Sequence, residues 1–220
     1  RTYARSGRAL ANTRFLNFLD LAGRLAGAGE IAGKKRTLPR LGHSIILEDI
    51  LAAQTPQIFS PLSGFPGFRD ALLDTFRDLR DAAVTPRAFF DFVQANSGMD
   101  YRRPQLMALA DLYHRFRESV GQYHDVDDDF RSAIRNAQEA RRILGSRQLL
   151  VYGIYDATGQ QSRLLAALKN VFEMIYFIPY VEESVSEFAQ PFLRARSREL
   201  GVQPVPLPEK GAAGSLDLLA

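Results

Sequence analysis

Residues 149–170, LLVYGIYDATGQQSRLLAALKN, combine a strand-like run with an acid and two glutamines at the start of a helical pattern. The apolar run 147–154 lacks a 3.6-residue period, which predicts a buried strand, whereas residues 160–170 predict a helix. Proteins that hydrolyse nucleotides often carry acids at such a junction, because carboxylates hold Mg²⁺ and position water. Tyr152 and Gly153 end this strand, and their side chains cannot ligate a divalent ion or act as a general base. We therefore expect the outline of such a site without its chemistry.

Two further patterns resemble binding sites without meeting their requirements. The acidic run HDVDDD at 124–129 imitates the start of a calcium loop, but Phe130 and Asn136 stand where that loop requires glycine and glutamate. These acids are therefore predicted to cap a helix. Residues 27–36, GAGEIAGKKR, have no Ser or Thr after the lysine and follow no strand, so they are not a phosphate loop. We predict no catalytic residue and no metal site in the chain.

The composition excludes several classes of protein. With 220 residues, of which 46% are hydrophobic, the chain can form one large domain or two small ones. It has no cysteine, which excludes disulfides, thiolate metal sites and thiol catalysis within these residues. It also lacks an apolar run of about 18 residues and a secretion signal, so we expect a cytoplasmic protein without membrane contact. Because the sequence begins without methionine, we expect a fragment of a longer protein.

The charge is unevenly distributed, although the net charge is only +3. Residues 1–42 contain nine Lys or Arg against two acids, and the remainder is mildly acidic. A basic end on an acidic body suggests contact with a polyanion. We predict that DNA phosphates bind there, without sequence readout, at four side chains: Lys34, Lys35, Arg36 and Arg40. The alternative is a solvated, mobile loop.

The pattern along the chain predicts α/β architecture with a long helical block. Residues 13–29 are expected to begin as a short strand and continue as a helix, and residues 172–181 to form a second buried strand. Amphipathic or capped helices are predicted at 41–54, 67–83, 85–96, 103–123, 125–143 and 184–201. Thr85 is expected to be an N-cap, and Pro191 to perturb the last helix. Residues 202–208 are expected to be extended.

This order of elements predicts parallel strands joined by helices. We divide the chain into an α/β core of residues 1–40 and 146–208, a helical insertion of residues 41–145, and a tail at 209–220 that need not be ordered.

The strand-to-helix junction resembles motif II of UvrD-like superfamily 1 helicases, in which a strand leads into Asp-Glu-Phe-Gln-Asp and a later Gln starts a helix. The matching positions here run from Tyr152 and Gly153 to Asp156, with Gln161 in the later Gln position. The family's two catalytic acids are thus replaced, and Asp156 matches the last acid, for which we predict a helix-capping role. Residues 15–26, FLNFLDLAGRLA, likewise resemble the family's Thr-Phe-His segment, with Phe18 kept.

A narrower resemblance covers most of the chain. Residues 149–181 and 109–134 are similar to the helicase-like part of AddB-type subunits, members of the PD-(D/E)XK nuclease family in ATP-dependent helicase–nuclease complexes. The resemblance implies a partial RecA-like (P-loop NTPase-like) sheet carrying a 1B-like helical insertion. It also implies a role in DNA repair beside a partner subunit, with hydrolase and exonuclease activity elsewhere in the parent protein.

For the cofactors, we expect none in this segment, whereas the resemblance implies ATP and Mg²⁺ for the parent and allows an iron–sulfur cluster. The function expected from the resemblance is a non-catalytic scaffold that guides DNA and contacts a partner subunit. Two alternatives stay open. One is an active superfamily 1 motor with an unusual motif II, and the other is a helical protein-interaction module without a DNA role.

Overall fold

The computed structural model describes residues 13–27, 35–96, 101–154, 156–178, 189–201 and 203–205. Within these ranges the protein is mostly helical and has a small parallel sheet of two strands. The helices are α1 (Phe18–Gly27), α2 (Gly42–Ala53), α3 (Pro66–Asp81), α4 (Pro86–Ala95), α5 (Arg103–Val120), α6 (Val126–Arg135), α7 (Ala140–Leu144), α8 (Gly159–Leu168) and α9 (Gln190–Leu200). The strands are β1 (Gln148–Tyr152) and β2 (Glu173–Phe177). Two short 3₁₀ helices span Gln57–Leu62 and Ala137–Glu139.

The chain divides into two compact units, one comprising Arg1–Leu149 with Thr158–Glu173 and the other comprising Leu150–Ala157 with Met174–Ala220. The predicted boundaries after residues 40 and 145 do not coincide with this division. One reason is that α1, which precedes the predicted insertion, packs against α6 within it. The assignment of the outer segments to a helicase-like core stays a prediction, and residues 209–220 lie outside the described ranges.

An apolar core of the first unit lies between α2, α3 and α5. Each of these helices presents an apolar stripe at helical spacing, which includes Leu47, Phe76 and Phe116. The rings of Phe76 and Phe116 lie 5.0 Å apart, a spacing typical of favourable aromatic pairs. Tyr113 is fully buried, and its hydroxyl donates a hydrogen bond to the Val84 carbonyl at 2.8 Å. The hydroxyl of this buried tyrosine therefore has a hydrogen-bond partner, and its burial carries no penalty for an unpaired polar group.

The first helix forms as predicted, but the strand expected before it is wrong. Residues 13–17 have no regular secondary structure, and the Asn17 side chain accepts a hydrogen bond from the Asp20 amide at 2.8 Å. That bond satisfies an amide in the first turn and favours a helix start over a continuing strand. Near the C-terminal end of α1, the side-chain Nδ2 of Asn136 donates a hydrogen bond to the Leu25 carbonyl at 2.8 Å, which ties α1 to the end of α6.

Local capping chemistry explains where several helices begin. The Thr85 hydroxyl accepts a hydrogen bond from the Ala88 amide and Pro86 occupies the first turn of α4, which confirms the predicted start. Asp125 caps α6 in a reciprocal capping box with Asp128, as expected for the acidic run. The single helix predicted over 125–143 is wrong, because it breaks at Asn136 into α6, a 3₁₀ turn and α7.

The sheet confirms the predicted parallel strand–helix–strand order, since β1, α8 and β2 follow one another and the strands pair directly. The amide of Glu173 donates to the Arg147 carbonyl at 3.1 Å at one end, and the amide of Gly153 donates to the Phe177 carbonyl at 3.0 Å at the other. The expectation that β1 is a buried strand is wrong, because Leu150 and Tyr152 are 55% and 82% exposed. A RecA-like sheet therefore remains a proposal.

The last described helix corrects a smaller expectation. Pro191 lies in the first turn of α9, where its missing amide has no helical partner to lose, so it does not perturb the helix. Residues 203–205 have no regular secondary structure, and the extended conformation expected for 202–208 stays a prediction. Among the described helices, none has both the length and the apolarity required to cross a bilayer.

Candidate functional site: the strand-to-helix junction and the basic segment

The strand-to-helix junction at the end of β1 turns on a glycine in a left-handed conformation. Gly153 has φ +72°, a region that residues with a Cβ rarely occupy. An Asp or Glu at position 153 would therefore strain the backbone in this conformation. Tyr152 lies beside it with its ring 6.2 Å from that of Phe177, and its side chain is largely exposed. Tyr155 lies outside the described residues.

Gln161 has a structural role at the start of α8. The Thr158 hydroxyl accepts a hydrogen bond from the Gln161 amide at 3.3 Å, and the Gln161 side chain accepts one from the Thr158 amide at 3.0 Å. This reciprocal arrangement is a capping box, which satisfies two otherwise unpaired amides. The expectation that Asp156 caps this helix is wrong, because its carboxylate accepts only from the adjacent Ala157 amide among the described contacts.

The first residue of α8 fixes the helix against the end of α3. A Cβ placed on Gly159 would lie 2.4 Å from the Ala82 carbonyl oxygen, a contact with backbone that cannot rotate away. The close approach of the two backbones therefore requires glycine. The backbone shape of the junction is thus explained by its turn geometry and packing, without any ligand.

The junction offers little chemistry for metal binding. Its one acid, Asp156, is exposed, and the described residues contain no group of three or more His, Asp or Glu side chains that could hold a metal ion. Tyrosine, glycine and a single carboxylate do not provide the several hard oxygen ligands that Mg²⁺ prefers. These residues stabilise the turn after β1 and leave the Tyr152 side chain exposed to solvent.

The predicted DNA-binding residues lie on the segment that precedes α2. Lys35, Arg36 and Arg40 are all exposed, and Lys34 lies outside the described residues. Lys35 is 3.6 Å from a carboxylate oxygen of Asp128, whereas Arg36 and Arg40 form no ion pair with any described residue. Two guanidinium groups are therefore available for an external anion.

A single parallel bridge anchors this basic segment to the residue before the acidic run. The His124 amide donates to the Arg36 carbonyl at 2.8 Å, and the Leu38 amide donates to the His124 carbonyl at 3.0 Å. The bridge brings the basic segment close to the acidic first turn of α6. The effect of those acids on an incoming phosphate depends on how far they are neutralised.

A buried ion network, which sequence reasoning missed, neutralises much of the acidic run. Arg80 donates from Nε to Asp127 at 2.8 Å and from a terminal nitrogen to Asp125 at 2.7 Å, and Arg117 also pairs with Asp127. Asp127 is only 5% exposed. Burial opposes its ionisation, but the hydrogen bonds from the two arginines outweigh burial and hold the pKa of Asp127 below its ordinary value.

His43 completes the network. Its Nε2 lies 2.8 Å from a terminal nitrogen of Arg80, which can only donate, so the histidine accepts and must be neutral. Burial, followed by the positive charge of Arg80, lowers the pKa of His43. Arg117 also opposes protonation, whereas Asp125 and Asp127 favour it, and the ring packs 5.8 Å from that of Phe116.

One sequence signal could have revealed the network. Arg80 continues the row that Leu72 and Phe76 form on α3 at intervals of four residues. A charged residue in register with an apolar stripe is a candidate for a buried ion pair. Its partners on α2 and α6 are distant in sequence, so the pairing itself is tertiary information.

Comparison with known proteins gives one relevant similarity. The chain is 31% identical over 146 residues to the B subunit of an ATP-dependent helicase/deoxyribonuclease from Moorella thermoacetica. The match covers 63% of this chain and 12% of that protein, so the chain spans a small part of the relative's length. No family model matches the chain.

Proposed function

We propose that this chain is a non-catalytic, helicase-like part of a DNA-end-processing helicase–nuclease, in which it guides DNA and contacts a partner subunit. The observation that carries the proposal is the parallel strand–helix–strand unit whose first strand ends at Tyr152 and is followed directly by Gly153. A capping box and a glycine turn maintain the outline of motif II there without a pair of metal-binding acids. The similarity to the helicase/deoxyribonuclease from Moorella thermoacetica supports the family.

Several finer assignments belong to the same proposal. The family is of AddB type, with a degenerate UvrD-like core whose RecA-like sheet has further strands, and with residues 41–145 as the insertion. ATP, Mg²⁺ and PD-(D/E)XK nuclease chemistry, with any iron–sulfur cluster, are features of the longer parent. We propose that the parent works in the cytoplasm.

For the DNA contacts we propose Lys34, Lys35, Arg36 and Arg40, acting on phosphates without reading the bases. Support comes from the exposure of the three described members and from the internal neutralisation of the nearby acids. Asp125 and Asp127 are paired with buried arginines, and Asp128 pairs with Arg131 as well as with Lys35. The acidic turn therefore repels a phosphate less than its formal charge suggests.

The non-catalytic role is tested at the one acid of the junction. The chain alone should show no steady-state ATP turnover, and Asp156→Asn should leave unchanged the turnover of a complex that the chain forms with a helicase partner. Tyr152→Phe serves as the companion variant, since it removes the exposed hydroxyl at the end of β1. A fall of tenfold or more in turnover with D156N, at unchanged stability, contradicts the proposal and favours the active-motor alternative.

The DNA role is tested by charge removal in the basic segment. We expect Lys35→Gln/Arg36→Gln/Arg40→Gln to flatten the dependence of log affinity for duplex DNA on log salt, by about 0.9 for each phosphate that is no longer bound. The matched control is R77Q/R87Q/R142Q, which also removes three charges from exposed arginines, each paired with a neighbouring acid. Equal slopes for the wild type and the first variant would reject the assignment.

The helical interaction module remains the second alternative, and the mostly helical first unit is the observation that favours it. It predicts no binding to duplex or single-stranded DNA at low salt. Detectable binding whose slope depends on the basic segment separates the proposed scaffold from that module.

A further inference from the structure

The inner face of α9 is occupied by a buried group of side chains, which fixes how the helix is oriented within the second unit. Phe192 is 8% exposed, and the Arg196 guanidinium lies 5.5 Å from the centre of its ring. Arg196 also pairs with Glu199, and their side chains are only 12% and 16% exposed. Burial raises the pKa of Tyr176 on β2, and its neighbours there are Arg196 and Glu199. The side chains between these positions must therefore face elsewhere.

A groove runs along that other face of α9. Its helical wall consists of residues at intervals of three and four, which form one stripe: Gln190, Leu193, Arg194, Ser197 and Arg198. Gly201 then has φ +68°, a left-handed C-terminal cap that redirects the chain. Gln203 and Pro204 form the opposite wall of this open groove, which has a volume of about 340 Å³.

The lining of the groove suits an oxyanion. Arg194 and Arg198 are exposed and form no ion pair with any described residue, in contrast to Arg196 between them. No acid is among the described residues that line the groove, while Ser197 and Gln203 offer neutral hydrogen-bond donors. Leu193 and Pro204 add an apolar surface on which a sugar could pack. Paired arginines beside neutral donors and a small apolar surface match a sugar–phosphate unit better than a carboxylate alone.

We propose that this groove binds the sugar–phosphate backbone of single-stranded nucleic acid, with Arg194 and Arg198 contacting phosphate oxygens. The proposal rests on the proposed DNA-guiding function, to which it adds a second contact distinct from the basic segment before α2. A positively charged groove with an apolar surface is the arrangement that tracks a single strand without reading its sequence.

The test uses the full 220-residue chain and a labelled single-stranded DNA oligonucleotide, with fluorescence anisotropy measured across a salt series. Arg194→Gln/Arg198→Gln should reduce the slope of log affinity against log salt by about 0.7 for each phosphate that is no longer bound, or about 1.4 for the two arginines together. Arg194→Lys/Arg198→Lys retains both charges and should restore most of the slope. R77Q/R87Q, which removes two exposed charges elsewhere, should leave it unchanged, and circular dichroism monitors folding of every variant.

The outcomes separate this groove from the basic segment. An unchanged slope in the R194Q/R198Q variant, beside a reduced slope in K35Q/R36Q/R40Q, rejects the groove alone. A reduced slope only in R194Q/R198Q supports the groove and rejects the basic segment. If the wild-type chain does not bind the oligonucleotide, both proposals fall. If a polyglutamate peptide of matched charge competes as well as unlabelled DNA does, the ligand is an acidic peptide and the nucleic-acid assignment is overturned.

Discussion

The Arg80 guanidinium forms hydrogen bonds with residues from two other parts of the chain. These partners are His43 on α2, and Asp125 and Asp127 at the start of α6. Its side chain is 11% exposed, so these charges interact through protein rather than through water. A buried arginine with complete partners contributes little net stability compared with an apolar replacement of the whole network. Removing one member is different, since the remaining charges stay buried without compensation.

We therefore expect Arg80→Met to lower the free energy of unfolding by about 3–5 kcal/mol, because Asp125 loses its arginine and Asp127 keeps only Arg117. Urea denaturation measures the change. Arg77→Met on the same helix is the matched control, since its side chain is 62% exposed and pairs locally with Asp74. It should cost less than about 1 kcal/mol. Similar losses for the two variants would show that the network does not support the fold.

The same network makes stability depend on pH through His43. Because the pKa of His43 is lowered in the folded state, the unfolded chain binds more protons at this ring, and stability falls as pH drops below the ordinary value of about 6.5. Asp127, whose folded pKa is also lowered, contributes stability that is present above about 3.9 and is lost as pH falls through its folded pKa. The two contributions therefore fall in separate windows.

Urea denaturation at a series of pH values checks the upper window. His43→Gln keeps an acceptor for Arg80 without a titrating ring, so its free energy of unfolding should decline less than that of the wild type just below pH ~6.5. His114→Gln removes an exposed histidine and should follow the wild type. A decline in H43Q as steep as that of the wild type would assign the pH dependence to other groups.

At the scale of elements, the start of α8 depends on a backbone contact that a glycine alone permits. Gly159→Ala should destabilise the protein by about 1–3 kcal/mol, because the new methyl group would overlap the Ala82 backbone and neither segment can yield by a side-chain rotation. Gly67→Ala, at an open position in the first turn of α3, should be neutral or stabilising by up to about 1 kcal/mol. Thermal denaturation of the pair decides whether the α3–α8 contact is as close as described.

The elements that sequence predicted well are those with local causes. Two helix starts are recognisable from hydrogen bonds within one turn, at Thr85 with Pro86 and at Asp125 with Asp128. The apolar stripe that includes Phe76 follows from helical spacing. The junction at Gly153 was likewise expected in outline. What the sequence could not supply is the partner of a side chain distant in the chain. Tertiary packing sets the pairing of Arg80 with Asp125 and Asp127. It also places residues 203–204 beside α9.

Two predictions about strands are wrong, one for the segment before α1 and one for the burial of β1. A short strand is expected at the start of residues 13–29, but Asn17 caps a helix there instead. The apolar residues of β1 predicted a strand buried on both faces, as parallel sheets usually are. Instead, register puts Leu150 and Tyr152 on one face, with Gln148 bonded to Glu173 at 3.0 Å on the same side, and both apolar side chains are exposed.

At the scale of the whole molecule, this exposed face implies unequal stability among its parts. The core around Phe76, Tyr113 and Phe116 is fully buried, whereas two parallel strands with an exposed apolar face are marginal by themselves. We expect backbone amides of α5 to exchange with deuterium only through global unfolding, and those of β1 and β2 to exchange through smaller openings. The measurement is native-state hydrogen exchange across a low-urea series.

In that experiment the amides of β1 and β2 should exchange with free energies below that of α5 and with a weak dependence on urea, because a local opening exposes little surface. Tyr152→Ser should not change α5 protection, and it should lower strand protection only modestly, since this side chain already faces solvent. If the strands instead exchange with the same free energy and urea dependence as α5, the sheet belongs to the global cooperative unit. In that case the exposed face of β1 would not be a weak point of this chain.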